Sequence, residues 1–169
     1  MSRRFEPRNT AFTDGLDRWQ LYGTFLRQGT GFDYSATTED GRAILTAAVP
    51  EPAGFAFLAQ DIEPDDYRGR TVTFRAELRT AQADGRAGLA LRAASPGRSR
   101  PPRAASPDPR EDPANHITSA TETGAWTRYE VTADIPADAS LIRFGVFLNG
   151  AGQVELRHPA LAPHPPGQQ

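Results

Sequence analysis

Strict alternation of apolar and polar side chains is the feature that most constrains how this chain can fold. Residues 70–81 read RTVTFRAELRTA, and the same alternation recurs in residues 127–135 (TRYEVTADI) and 142–148 (IRFGVFL). Because successive side chains of a β-strand point to opposite faces, each stretch predicts a strand with one buried face. In the first stretch Val72, Phe74 and Leu78 are expected to face the core.

Turn signals separate these stretches at intervals typical of a sandwich. Asp-Gly and Asn-Gly pairs, which favour the backbone geometry of tight turns, occur at residues 14–15, 40–41, 84–85 and 149–150. A short helical turn is expected at 64–68. The predicted fold is all-β, a two-sheet antiparallel β-sandwich (jelly roll). The predicted strands are 10–13, 19–22, 33–37, 43–48, 56–62, 71–80, 87–93, 127–135, 142–148 and 154–156.

A length of 169 residues fits one domain, which we place at residues 1–163. Residues 95–113 (SPGRSRPPRAASPDPREDP) interrupt the alternation with six prolines and four arginines. This composition predicts a disordered insertion, although a functional lid is the alternative. Residues 164–169 (HPPGQQ) are expected to form a disordered tail.

Charge and residue usage exclude several classes of function. The net charge of −2 lacks the basic surplus that nucleic acid requires, so we expect no nucleic-acid partner. All 19 basic residues are arginine, and cysteine is absent, which removes disulfides and thiolate metal sites. The three histidines have no metal-ligand spacing, and we expect neither a metal nor a cofactor. The N-terminus has no apolar signal region, so the expectation is a cytoplasmic protein without a membrane partner.

Seven motifs, taken in order, resemble the galactose-binding-like jelly rolls that include many carbohydrate-binding modules. In particular, the chain resembles the short bacterial version of that module, found alone or appended to helix-turn-helix regulators. Such a resemblance implies the fold more strongly than a function. Relatives often carry an acidic pair that holds a structural calcium where this chain has Arg157 and His158, so no calcium site is expected. The motifs are GLDRWQLYG (15–23), GFAFLAQ (54–60), YRGR (67–70), AGLALR (87–92), TGAWTRYEV (123–131), IPADA (135–139) and FGVFLNGAGQV (144–154).

Aromatic residues are the first candidates for a ligand site, because sugars stack on exposed rings. Trp126 is a candidate, although packing into the core or capping its edge is the more common role for such a residue, and core packing is expected for Trp19. Polar residues on outward strand faces are the second group. Arg75, Glu77 and Arg79 form one such row on the stretch 71–80.

The predicted ligand surface is centred on Arg143, Phe147 and Asn149, with Gln60 and Arg92 beside it. Phe147 alternates away from Ile142, Phe144, Val146 and Leu148, so its ring is expected on the opposite face of the strand. Two explanations are open for that ring: it stacks on a ligand, or the segment 95–113 covers it. Arginine, glutamine and asparagine suit hydroxyl, carboxylate or carbonyl groups.

The leading functional hypothesis is a non-catalytic binding module for a saccharide or another polyhydroxylated or carbonyl-bearing small molecule, acting as an accessory or sensor domain. The alternative is a cyclase or isomerase of specialised-metabolite biosynthesis that uses the sandwich cleft. Support for catalysis is thin, because no nucleophile elbow, phosphate loop or dinucleotide motif occurs. His116 is more typical of an exposed loop histidine than of a general acid or base. The oligomeric state is left open.

Overall fold

The computed structural model describes residues 7–23, 34–50, 52, 55–82, 87–94, 116–120 and 124–163. Within these ranges the chain forms ten strands. They are β1 (Gln20–Gly23), β2 (Tyr34–Glu39), β3 (Arg42–Ala47), β4 (Ala56–Ile62), β5 (Thr71–Ala81), β6 (Ala87–Ala94), β7 (His116–Ser119), β8 (Thr127–Asp134), β9 (Leu141–Leu148) and β10 (Gln153–Pro163).

The strands form two five-stranded sheets. The first sheet has the order β1-β4-β9-β6-β7 and the second has the order β2-β3-β10-β5-β8. All the strand pairs within both sheets are antiparallel. The predicted two-sheet antiparallel sandwich is therefore confirmed.

The main core lies between the sheets and is built by the predicted alternation. Along β5 every second residue from Val72 to Thr80 is buried, while the residues between them are half-buried. Phe74 of β5 contacts Phe144 of β9 across the core, with 5.1 Å between ring centroids. Trp19 packs edge-on against Phe144 and is buried, which confirms its expected place in the core.

One predicted strand is absent, and one observed strand was not predicted. Residues 10–13 are not a strand, because Asn9 organises this segment as turns: its side-chain amide donates to the backbone carbonyls of Gly15 (2.9 Å) and Asp17 (2.8 Å). Strand β7 was not predicted, since its four residues carry little alternation. The helical turn predicted at 64–68 is present as a hydrogen-bonded turn, in which the Arg68 amide donates to the Pro64 carbonyl at 3.0 Å.

Strand β10 is longer than predicted and contains an irregularity. Its pairing with β5 shifts register between Arg157 and Ala160. At this position His158 adopts a left-handed backbone with φ of 56°. A β-bulge of this kind bends a strand and redirects its side chains. The predicted insertion at 95–113 and the tail at 164–169 lie outside the described residues.

Candidate functional site

The outer face of the first sheet, which points away from the main core, carries a second apolar cluster. Phe55, Phe57, Ala59, Ala90 and Phe147 form it, all of them buried, with Tyr22 and Ile117 packed at its edges. The predicted orientation of Phe147 is confirmed, because Phe144 and Val146 belong to the main core instead. The Phe147 ring is completely buried in this cluster, so it presents no accessible face to a ligand.

Gly88 makes room for the Phe147 ring. Phe147 pairs with Phe57 on one side and with Gly88 on the other. A Cβ atom on Gly88 would lie 3.1 Å from Cε1 of Phe147 and 2.2 Å from the Thr118 carbonyl oxygen, so a larger residue there would displace both the ring and the backbone. The ring covers a strand position that has no side chain of its own.

Next to this cluster lies a polar group that we call the Tyr22–Arg143–Asp61 group. The Arg143 guanidinium donates to both carboxylate oxygens of Asp61, at 2.7 and 2.9 Å. The same guanidinium lies over the Tyr22 ring, 4.3 Å from its centroid. The Tyr22 hydroxyl is 3.3 Å from Asp61 Oδ2 and 2.8 Å from the side-chain oxygen of Gln20. The three side chains thus hold one another in place.

The electrostatics of this group follow from partial burial. Burial raises the pKa of the Tyr22 hydroxyl, an effect that Arg143 opposes and Asp61 reinforces. The hydrogen bonds to Asp61 raise the pKa of Arg143. At neutral pH the tyrosine is therefore a neutral hydroxyl, and Arg143 is a fixed cation. Both Arg143 and Asp61 keep about a third of their side-chain surface exposed, at 27% and 31%.

Register places one other predicted residue, Arg92, beside this group. Arg92 of β6 pairs directly with Arg143, and Asp61 of β4 pairs with it on the other side, so the three form one row across the sheet. Asn149 follows the end of β9 and is half-buried. Tyr22 and Asp61 were not predicted. Tyr22 lies in the motif GLDRWQLYG, but only the strand register brings it to Arg143.

Gln60 does not lie beside Arg143, contrary to the prediction. It is buried on the inner side of β4, alternating with Leu58 and Ile62 of the main core. Its side-chain oxygen accepts a hydrogen bond from the Arg8 amide at 2.8 Å, and its side-chain nitrogen donates to the Arg8 carbonyl at 2.8 Å. Through these two hydrogen bonds Gln60 holds the backbone of Arg8 against β4.

Trp126 lies on the outer face of the second sheet, away from the Arg143 row. It is half-buried, and two guanidinium groups contact its indole ring: Arg79 at 4.7 Å and Arg157 at 4.1 Å from the centroid. Such contacts combine electrostatic attraction with planar stacking. The structure therefore places Arg143 and Trp126 on opposite surfaces, with Gln60 in the interior.

A buried carboxylate fixes one of these arginines. Glu155 accepts hydrogen bonds from Arg42 Nε at 2.5 Å and from Arg79 Nε at 2.8 Å. These bonds, that of Arg79 above all, hold the pKa of Glu155 below its usual value against the opposing effect of burial. Arg42, Glu155 and Arg79 thus form a row on the outer face of the second sheet, in which the buried carboxylate pairs with two guanidinium groups.

The positions compared with calcium ligands in relatives are both engaged with Glu77. Arg157 Nε donates to Glu77 Oε1 at 2.9 Å, and His158 Nδ1 lies 3.1 Å from Oε2. These contacts, the bond to His158 first, lower the pKa of Glu77.

In the described part of the chain no group of three or more histidine, cysteine or acidic residues is arranged to hold a metal ion. The described ranges likewise contain no helix with the length and apolar character needed to cross a membrane.

Comparison with known proteins adds one relative by sequence. No protein-family profile matches the chain. It is 26% identical over 147 residues to the uncharacterized HTH-type transcriptional regulator YbfP of Bacillus subtilis (strain 168). That match covers 87% of this chain but only 42% of the regulator. The resemblance therefore concerns less than half of a longer protein.

Solved structures are similar over nearly the whole chain. A CBM4 structure superposes with a TM-score of 0.62 and 18% identity, covering 93% of this chain and 99% of the other. The fold is that of the carbohydrate-binding-module β-sandwiches. A second example, TmCBM61 in complex with β-1,4-galactotriose, gives a TM-score of 0.56 at 14% identity over 96% of this chain and 100% of the other. The enzymatically active domain of bacteriophage CBA120 tailspike protein 4 gives 0.63 at 13% identity, with 95% of this chain matching only 22% of that one.

Proposed function

We propose that this protein is a non-catalytic saccharide-binding module whose ligand contacts the outer face of the first sheet. The observation that carries the proposal is the Tyr22–Arg143–Asp61 group, in which an aromatic ring, a guanidinium and a carboxylate are partly exposed side by side. Saccharides present both C–H faces, which pack on rings, and hydroxyl groups, which need donors and acceptors. This surface offers all three kinds of contact.

Preorganisation strengthens the argument. Arg143 is held by two hydrogen bonds to Asp61 and by the Tyr22 ring, so little side-chain freedom remains to be lost when a ligand binds. Beside it, the Tyr22 ring packs against the buried cluster, with its centroid 6.4 Å from that of Phe57. In this proposal Arg92 and Asn149 extend the contact surface along the sheet, and Phe147 belongs to the buried cluster on the same face.

The comparisons support a saccharide as the ligand class. Several solved structures with this fold are carbohydrate-binding modules, and one of them holds β-1,4-galactotriose. The similarity to part of an HTH-type regulator supports a sensor or accessory role in the cytoplasm. In that role the bound saccharide reports sugar availability to a partner domain or protein.

A cyclase or isomerase would need a deep cavity lined by apolar groups to fold its substrate. On the outer face of the first sheet all five members of the apolar cluster are buried, so their side chains do not line an open cavity. No observation in the described residues favours catalysis over binding. We therefore propose the binding function alone.

The test is a panel of immobilised neutral and acidic oligosaccharides, probed with the full chain and with Arg143→Gln. We expect saturable binding to at least one saccharide and a loss of about tenfold in affinity for the variant, the usual effect of removing a charged hydrogen bond. Arg18→Gln is the matched control, because Arg18 is 56% exposed and its ion-pair partner is Asp17 at 3.8 Å. Absence of binding across the panel, or equal binding by Arg143→Gln, would contradict the proposal.

A further inference from the structure

A cleft of about 310 Å³ opens on the outer face of the second sheet, remote from the Arg143 row. Side chains from three strands line it: Arg75 and Glu77 of β5, Arg128 of β8 and His158 of β10, together with Ala76 at its floor. It is large enough for a single sugar ring or a molecule of similar size. None of these residues belongs to the proposed saccharide surface.

The bulge in β10 shapes this cleft. Arg157 pairs with Glu77 and Ala160 pairs with Arg75, so residues 158 and 159 together oppose Ala76 alone. His158 takes up the extra residue in a left-handed conformation, which is uncommon for residues other than glycine. Its side chain is 68% exposed and lies at the rim of the cleft. Bulges often redirect a side chain beside a binding site.

The two arginines in the cleft are incompletely engaged. Both contact the same carboxylate oxygen of Glu130, Arg75 Nη1 at 3.5 Å and Arg128 Nη2 at 3.3 Å. A guanidinium has five N–H donors in a planar fork, and the structure shows no other acceptor for either group among the described residues. Their side chains are 40% and 60% exposed, so the remaining donors are accessible to a ligand.

The net charge of the side chains in and beside the cleft indicates the class of ligand. Arg75, Arg128 and Arg157 contribute three positive charges, while Glu77 and Glu130 contribute two negative charges. One positive charge is left over when His158 is neutral. A monoanion balances that surplus, whereas a phosphate dianion would leave the cleft negative. The planar fork of a guanidinium also matches the two oxygens of a carboxylate.

We propose that this cleft is a second binding site, specific for the carboxylate of a small acidic molecule about the size of a uronic acid. Arg75 and Arg128 bind the carboxylate, and His158 contacts the rest of the ligand from the bulge. Glu77 stays paired with Arg157, which in turn contacts Trp126. The site does not depend on the proposed saccharide surface.

The experiment is an amide NMR titration of the full chain with sodium glucuronate, with glucose and with inorganic phosphate at matched ionic strength. We expect saturable shifts from glucuronate at residues 75–77, 128 and 158. Glucose at the same concentrations is expected to move these signals by no more than about a tenth as much. Equal shifts from glucose, stronger binding of phosphate, or no shifts at these residues would overturn the proposal.

Variants locate the site and separate it from the first one. Arg128→Gln should weaken glucuronate about tenfold and keep the melting temperature, since this side chain is largely exposed. His158→Asn, which tolerates the left-handed backbone, provides a second variant should Arg128→Gln disturb the sheet. In Tyr22→Ala the glucuronate-dependent shifts of residues 75–77, 128 and 158 should persist. Loss of glucuronate binding in Tyr22→Ala with retention in Arg128→Gln would assign the carboxylate to the first sheet and refute this inference.

Discussion

Replacement of Phe147 by alanine tests whether its ring supports the first sheet. The ring is fully buried against Phe57 and over Gly88. Removal of a buried phenylalanine ring usually costs about 3 to 5 kcal/mol, and more where the surroundings cannot collapse into the cavity. Here Gly88 has no side chain, and Ala59 and Ala90 have only a methyl group, with which to fill the space. We therefore expect about 4 kcal/mol for Phe147→Ala.

The measurement is urea unfolding followed by circular dichroism, together with thermal melting. A loss of 4 kcal/mol corresponds to a fall of about 8 to 16 °C in melting temperature for a chain of this size. Phe147→Leu, which keeps most of the volume, should cost less than about 1.5 kcal/mol. Phe74→Ala in the main core should match Phe147→Ala. A destabilisation below about 1 kcal/mol for Phe147→Ala, with a large loss of saccharide affinity, would show that the ring stacks on ligand instead.

Three other outcomes follow from the structure. Glu155→Gln should cost about 2 kcal/mol, because it breaks a buried pair whose arginine partner Arg79 stays partly solvated. The pKa of Glu155 is lowered on folding, so its contribution is present above about pH 4.5 and is lost as the pH falls through the folded-state pKa; stability profiles of wild type and Glu155→Gln should converge in acid. Gly145→Ala should prevent normal sheet formation, since its Cβ would approach the Leu58 carbonyl oxygen to 2.0 Å; soluble protein with an unchanged spectrum would refute this. Calcium should leave the melting temperature unchanged, because Arg157 stands at the compared position, and a saturable rise would refute that.

The strands were predictable where one face of the sheet is buried and the other is not. Strand β5 alternates over its whole length, and its bounds agree with the prediction to within one residue. Strand β4 is different, because it is buried on both faces from Ala56 to Gln60. Because polar and apolar residues do not alternate in such a run, the sequence did not indicate which face of the strand Gln60 occupies. This is why Gln60 was wrongly placed beside Arg143.

The Tyr22–Arg143–Asp61 group depends on the register between strands, which the alternation along each single strand does not indicate. Tyr22, Asp61 and Arg143 come from three strands far apart in the chain, and only the pairing of β4 with β1 and β9 brings them together. Alternation along β9 correctly predicted that Arg143 and Phe147 share a face. It did not indicate that Trp126 lies on the other sheet, since alternation assigns the face of a strand and not the sheet to which the strand belongs.

The most direct test of the proposed function is amide chemical-shift mapping with the saccharide that binds best in the panel. We expect the shifts to concentrate on Tyr22, Asp61, Arg92 and Arg143, and to disappear in Tyr22→Ala at the same ligand concentration. Shifts confined to the second sheet or to the ends of the sandwich would contradict the placement of the site. A panel in which no saccharide binds would contradict the function itself.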